Sequence, residues 1–230
     1  MARKPAKKKT TNVRKVAQAT KEQPVAASWK QKIKIAVLFP YLLLVFGFTG
    51  LAASVTIAVE KAHLLQHPKV ELVCDLNPLY SCGNVIMSPQ SKTFGISNEN
   101  YGIILFSGIL AVGLMTLAGA RPKKWFWQLF FGGMFAFALT ILYLWHLSIY
   151  VIGSICLFCT SVWISAWTVC MVLFSWMYDE GLFKSLPQAT QKPLAWVRQN
   201  SISFWLGWIL LLAALTVKHF WYFYGPHLGF

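Results

Sequence analysis

From Trp125 to Tyr178 the chain runs for 54 residues without a single Asp, Glu, Lys or Arg. A helix needs roughly 20 apolar residues to cross a ~30 Å hydrocarbon core, so this stretch is too long for one crossing and right for two. The turn between them is expected at 148–154, where Ser148, Gly153 and Ser154 interrupt the apolar run. Span three is then about 125–147 and span four about 154–178. Once this hairpin is granted, the remainder parses in the same way. Residues 35–59 form an uncharged run of 25, span one, with Pro40 in its first turns expected to kink it. Residues 101–120 form span two, where Gly108 and Gly113 allow neighbouring helices to approach closely. Residues 201–217 form span five, closed by Lys218 and an aromatic cluster, Phe220 to Tyr224, of the kind that settles at a membrane interface.

Composition agrees with this reading. Only 12% of the residues are charged, against about 25% in a soluble domain. The fold class is therefore all-α, a polytopic membrane protein. Its expected parts are a disordered basic tail at 1–34, a four-helix bundle at 35–178 with a loop at 60–100, a polar loop at 179–200, and a fifth helix with a short C-terminus at 201–230.

The formal charge of +14 is unevenly spread, with 11 of the 21 Lys and Arg in residues 1–34. This tail leads directly into span one, so cytoplasmic retention and anionic headgroups account for it. It has no interleaved aromatics to stack bases, which argues against a nucleic-acid partner. The apolar run after it is too long for a cleavable signal peptide. With the N-terminus inside, the inner segments carry 17 basic residues and the outer ones 4, namely Lys61, Lys69, Lys92 and Lys218. The positive-inside rule thus places the N-terminus in the cytoplasm and the loop at 60–100 outside.

The chemistry-bearing residues are cysteines. Cys156 and Cys159 form a Cys-x-x-Cys pair at the start of span four, with Ser154 expected as the helix N-cap. A thiol there gains thiolate character from the helix N-terminus. Such a pair alone is ambiguous: a redox couple, half of a zinc site, or two small residues in a core. A second pair, Cys74 and Cys82, lies in the loop at 60–100. Topology brings all four to one outer face, where disulfides persist. Two thiol pairs at one face suggest a relay by thiol–disulfide exchange. No haem, flavin or nicotinamide motif is visible, so the acceptor available within a helix bundle is a lipid quinone, menaquinone or ubiquinone. Cys159 lies about 4.5 Å deeper than Cys156 at the helical rise and is the better placed to face such a ring. Cys170 reads as an ordinary buried thiol. His146 reads as interfacial, with a proton relay as the alternative. Asp75 either raises the pKa of Cys74 or is a solvated loop residue.

The loop pair in Cys74-Asp75-Leu76-Asn77-Pro78-Leu79-Tyr80-Ser81-Cys82-Gly83, then Ser88, Phe94-Gly95, Asn98, Tyr101-Gly102 and finally Cys156-Leu157-Phe158-Cys159, resembles the vitamin K epoxide reductase family, most closely its bacterial branch. The resemblance covers about 35–178. It implies a four-helix bundle around a quinone, capped by a half-helix in the loop. It also implies electron flow from a separate thioredoxin-fold (DsbA-like) protein to Cys74/Cys82, then to Cys156/Cys159, then to quinone. Under it, Cys82 forms the mixed disulfide with Cys156 and Cys159 is the thiolate beside the quinone. Asn98 hydrogen-bonds a quinone carbonyl, while Ser88 and Tyr101 belong to the quinone pocket. Trp163, one turn below Cys159, is expected to line the pocket too, with lipid-facing bulk as its alternative. The alternative for Asn98 is N-capping of span two. Where animal members carry a tyrosine four residues after the second helix cysteine, this chain has Trp163, which bears on whether vitamin K epoxide is reduced. The implied location is a bacterial plasma membrane with the cysteines at the outer face. The competing class is a non-enzyme with a structural four-thiolate zinc site. A transporter would want charged or broken helices at the midplane, which these spans lack.

Overall fold

The computed structural model describes residues 29–68, 72–77, 79–93 and 95–223, with side chains from residue 37 onward. The basic tail up to residue 28, together with Lys69, Pro78, Phe94 and Tyr224, lies outside the described residues. Among the described residues, five helices are long and apolar enough to cross a membrane. The order is α1 (Trp29–Gln66), α2 (Cys82–Ile86), a 3-10 turn (Pro89–Ser91), a small antiparallel hairpin of β1 (Lys92–Thr93) and β2 (Ile96–Ser97), and α3 (Asn98–Leu117). There follow α4 (Lys124–His146), a π-helical turn (Leu147–Ile152), α5 (Leu157–Asp179), α6 (Gln188–Gln199) and α7 (Ser201–His219).

Span one is longer than its uncharged window. It continues through Glu60 and Lys61 to Gln66, and Pro40 lies inside it without breaking it. Close to the N-terminal end of a span, proline removes a single backbone donor, and the surrounding packing carries the helix through. The segment 179–200 is not simply a loop. It holds α6, whose Arg198 is buried and forks onto Asp179 with donor–acceptor distances of 3.0 and 2.6 Å. That pair ties α6 to the end of α5.

Helix α1 is central, packed along both α3 and α5. Between apolar helices in lipid, close packing rather than water exclusion drives association, so small residues sit at the closest approach. Gly50 is such a point: a Cβ there would overlap the ring of fully buried Phe106 on α3. At the end remote from the cysteines, Phe39 stacks on Trp176 at 4.6 Å and meets Trp127 edge-on at 5.8 Å. Thr49 and Ser165 share a hydrogen bond of 3.1 Å between α1 and α5. Helix α7 lies outside this bundle, and none of its most apolar window is buried. Trp145 Nε1 donates to Thr216 Oγ1 at 3.3 Å and fixes α7 to α4. Phe220 departs from the expected interfacial belt. It is fully buried against Leu79, Ile149 and Ile155, whereas Trp221 and Tyr222 are exposed.

The Gly50–Phe106 contact gives a direct test. Gly50→Val is expected to destabilise the bundle by about 1–3 kcal/mol through overpacking, seen as a lower melting temperature in detergent. Gly132→Ala, where an added Cβ meets nothing within 4 Å, is expected to leave the melting temperature unchanged.

Candidate functional site

The site is built where the loop between α1 and α3 lies over the N-terminus of α5. Cys74 and Cys82 are joined as a disulfide with their Cα atoms 5.7 Å apart. Local hydrogen bonds fold the loop around it. Asn77 Oδ1 accepts from the N–H groups of Leu79 at 3.0 Å and Tyr80 at 2.8 Å, closing an Asx turn. Asp75 accepts from Gly83 N–H at 3.0 Å and Leu72 N–H at 3.4 Å. It is thus more than a solvated loop residue: its carboxylate clamps both ends of the disulfide loop. Ser81 caps α2 by accepting from Asn84 N–H. Ile155 N–H then donates to the Leu79 carbonyl at 2.8 Å, and Tyr80 and Ile155 form a parallel bridge.

Ser154 is not the N-cap of α5. The π-helical turn ends at Gly153 with φ 73°, a left-handed conformation suited to glycine. The chain then runs extended to Cys156. Ser154 is spent elsewhere: its Oγ accepts from Asn84 Nδ2 at 3.2 Å and its carbonyl accepts from Ser148 Oγ at 2.6 Å. The cap is Cys156 itself, whose sulfur accepts from Cys159 N–H at 3.3 Å. Both Cys156 and Cys159 are free thiols. The hydrogen bond from the Cys159 thiol lowers the Cys156 thiol from its ordinary range. Burial opposes this, the N–H groups of Cys159 and Phe158 assist it, and Asp75 weakly opposes it. The lowered range favours the Cys156 thiolate, the form that exchanges with disulfides, over that of an ordinary thiol.

Cys74, Cys82 and Cys156 are all buried in one apolar cluster with Ile57, Leu64 and Ile86, and Cys159 packs against it. The resemblance implied a Cys82–Cys156 mixed disulfide. The structure has the loop disulfide closed, with Cys156 free beside it in the same cluster, a state in which that exchange has not taken place. A four-thiolate zinc site is contradicted, because two of the four sulfurs are bonded to each other.

Beneath α2 lies a cavity of about 90 Å³. One water requires roughly 10–15 Å³ on this measure, so the space suits a ring system rather than one water. Cys159, Trp163, Ser88 and Asn98 all line it, with Ser54, Ile57, Ile86, Phe137 and Ile141 among the remaining walls. Asn98 is not the cap of α3, since Ser97 holds that position. Its Oδ1 accepts from Thr93 Oγ1 at 2.6 Å and its Nδ2 donates to the Gln90 carbonyl at 3.0 Å. One amide N–H is left for a ligand. Gly102, one turn on, faces Ser54, and a Cβ there would overlap the serine hydroxyl. The spacing Asn98-x-x-x-Gly102 thus holds α3 close to α1 beside the cavity. Ser88 Oγ is committed to the Val85 carbonyl at 2.8 Å. Tyr101 is not on the cavity wall; its hydroxyl donates to the Thr93 carbonyl at 3.1 Å and braces the hairpin. His146 is likewise off the wall, with its ring 4.9 Å from that of Tyr150. Cys170 is buried in α5, away from the other thiols.

Sequence reasoning passed over Glu99 and Lys61. Glu99 lines the cavity, and its Oε1 lies 3.4 Å from Lys61 Nζ, with both side chains at most 10% exposed. The signal was present: an acid in the first turn of an otherwise uncharged span needs a partner or a function.

With this geometry in place, comparison with known proteins decides the family. The sequence profile described as the vitamin K epoxide reductase family matches residues 41–174, more than half of the chain. The chain belongs to the vitamin K epoxide reductase family. Curated proteins give no match. The family's chemistry is that of a membrane oxidoreductase working with quinones and redox cysteines, and the matched region contains the disulfide, the Cys-x-x-Cys pair and the cavity.

Removing the Asp75 clamp tests the loop's construction. Asp75→Ala leaves the Gly83 and Leu72 amides without their acceptor, and hydrogen bonds to a charged group contribute about 1.5–3 kcal/mol. Amide exchange at Gly83 is expected to accelerate about 10-fold or more by hydrogen–deuterium exchange, while amides within α5 keep their protection.

Proposed function

We propose that the chain is a membrane thiol:quinone oxidoreductase that oxidises the dithiol of a separate thioredoxin-fold protein and supports disulfide-bond formation. The observation that carries this reading is the position of Cys159: it lines the cavity on one side and hydrogen-bonds Cys156 on the other, and Cys156 shares a cluster with the loop disulfide.

Electrons and bonds balance as follows. A partner thiolate attacks the Cys74–Cys82 bond, and its second thiol releases it as a disulfide, leaving Cys74 and Cys82 reduced. The Cys82 thiolate then attacks Cys156 in the oxidised Cys156–Cys159 pair, freeing Cys159. Cys74 displaces Cys156 from Cys82, closing the loop disulfide again. Cys156 and Cys159 are now a dithiol, the combination that the structure holds. Re-forming their S–S bond releases two electrons, which together with two protons convert a quinone into a quinol. The quinone is the substrate that accepts this pair. The spare Asn98 N–H suits a quinone carbonyl, and Trp163 offers a broad face to the ring. Menaquinone and ubiquinone both fit this chemistry. Trp163 in place of the tyrosine of animal members favours a quinone over an epoxide as the working substrate.

The distribution of basic residues supports an orientation with the N-terminus in the cytoplasm and the cysteine end at the outer face of a bacterial plasma membrane. The parts assigned above then read as a basic cytoplasmic tail, the catalytic bundle, a cytoplasmic connection and the fifth helix.

Quinone reduction by the purified protein separates the two cysteine pairs. With a small dithiol as donor, Cys159→Ser is expected to abolish quinone reduction. Cys74→Ser is expected to keep most of it, because a small dithiol can reach the helix pair without the loop. Equal loss in both variants would reject this division of labour.

A further inference from the structure

Glu99 occupies an unusual place. Besides the quinone cavity, a second, more open cavity lies on the other side of α2 and the 3-10 turn, bounded by Lys61, Met87, Lys92 and Asn100. The two cavities share four wall residues: Ile86, Ser88, Ser91 and Glu99. Glu99 is the ionisable one. Its carboxylate is thus in a position to meet a ligand on one side and water on the other.

The Lys61 ammonium is held in place by three groups. It donates to Ser91 Oγ at 3.1 Å and Ser97 Oγ at 3.0 Å, besides facing Glu99. Two hydrogen bonds to serine hydroxyls thus fix the ammonium, and its charge faces Glu99. Glu99 is less fully used. Oε1 faces Lys61, and among the described residues Oε2 has no hydrogen bond. Of the groups lining the two cavities, those that titrate or carry charge besides Glu99 are Lys61 on α1, Lys92 on β1 and Cys159 on α5. A carboxyl group with one oxygen anchored and one open, placed between the ligand cavity and a second cavity with room for water, is built to take up a proton and pass it on.

We infer that Glu99, anchored by Lys61, carries a proton from the second cavity to the bound quinone during its reduction. The inference rests on the quinone-reductase reading above. It addresses a gap in the proton balance. When Cys156 reacts as a thiolate, the helix pair brings two electrons but one proton, whereas a quinol needs two. Glu99 in its acid form supplies the second. Cys156 thiolate, Cys159 thiol, quinone and protonated Glu99 thus become a disulfide, a quinol and the Glu99 carboxylate. Glu99 then regains a proton from solution through the second cavity, past Ser88 and Ser91. While Glu99 is neutral, Lys61 keeps both serine partners, so the anchor stays in place through the cycle.

A structural salt bridge would make different predictions, and three variants separate the two. Glu99→Gln is expected to slow quinone reduction by about 10²-fold, within the range of a single acid–base group. Its KM for quinone should be near that of the wild type. Its rate should fall about tenfold per pH unit as pH rises, because protons must then come directly from solution. Reduction of the Cys156–Cys159 disulfide by a dithiol without quinone should proceed at the wild-type rate, which shows that the variant is folded. Lys61→Gln/Glu99→Gln removes both charges and leaves no unpaired ion. It should stay slow, whereas Glu99→Asp should recover part of the rate. Recovery to wild-type rate in the double variant, or a Glu99→Gln enzyme with the wild-type rate and pH profile, would overturn the inference. So would loss of the quinone-free half-reaction together with turnover in Glu99→Gln. A wild-type protein that reduces no quinone would sink the parent reading and this one with it. A defect confined to the Glu99 variants bears on the proton path alone.

Discussion

The hydrogen bond from Ile155 N–H to the Leu79 carbonyl holds together the two parts of the chain on which the site depends. On one side is a loop closed by a disulfide, an Asx turn and the Asp75 clamp. On the other is the short extended stretch that enters α5. Joining them places Cys82 and Cys156 in the same buried cluster and sets α2 as a roof over the cavity. Phe220 at the end of α7 is buried against this junction with Leu79 and Ile155. The fifth helix, none of whose most apolar window is buried, therefore has a structural task where its end meets the loop.

The polar groups within the apolar body follow one rule. A charge in or beside a span is expensive unless it is paired. Arg198 with Asp179 satisfies the rule at the end remote from the cysteines, where α6 returns to α5. Lys61 with Glu99 satisfies it at the cysteine end, where α1, the hairpin and α3 converge. Both pairs tie sequence-distant elements together, but only the second borders a cavity that also holds a thiol. The same economy governs hydroxyls: Ser54, Thr56, Thr116, Thr140 and Thr168 all donate to carbonyls one turn back in their own helices. These hydroxyls are thereby silenced along the spans, whereas the indole N–H groups of Trp167, Trp205 and Trp208 are buried without an acceptor among the described residues.

Much of this organisation was legible in the sequence. Span number followed from the length of uncharged runs, because lipid leaves a helix few alternatives. The convergence of Cys74, Cys82, Cys156 and Cys159 followed from counting crossings, the place of Asn98 and Ser88 on the cavity wall was expected from the family resemblance, and that of Trp163 from its position one turn below Cys159. What was not legible depends on geometry at single residues. The π-helical turn moves the start of α5 past Ser154, so a sulfur rather than a hydroxyl serves as the cap. Tyr101 shares a helix with Asn98 but lies three residues on, which sends its hydroxyl to the hairpin. Asp75 and Glu99 each look like solvated acids until the backbone amides and the ammonium that they meet are known. Helix ends also ran past their uncharged windows, because Lys61 and Glu99 pair with each other.

The central claim is that the Cys156–Cys159 dithiol gives its electrons to a quinone in the cavity. The most direct measurement is a single anaerobic turnover. The protein, with its helix pair reduced and its loop disulfide intact, is mixed with quinone, and quinol and thiols are counted together, with the cysteines mapped by mass spectrometry. The account predicts one quinol for each pair of thiols lost, both lost from Cys156 and Cys159, with Cys74–Cys82 unchanged. Quinol formed while Cys156 and Cys159 remain thiols, or thiols lost from that pair without quinol, would contradict it.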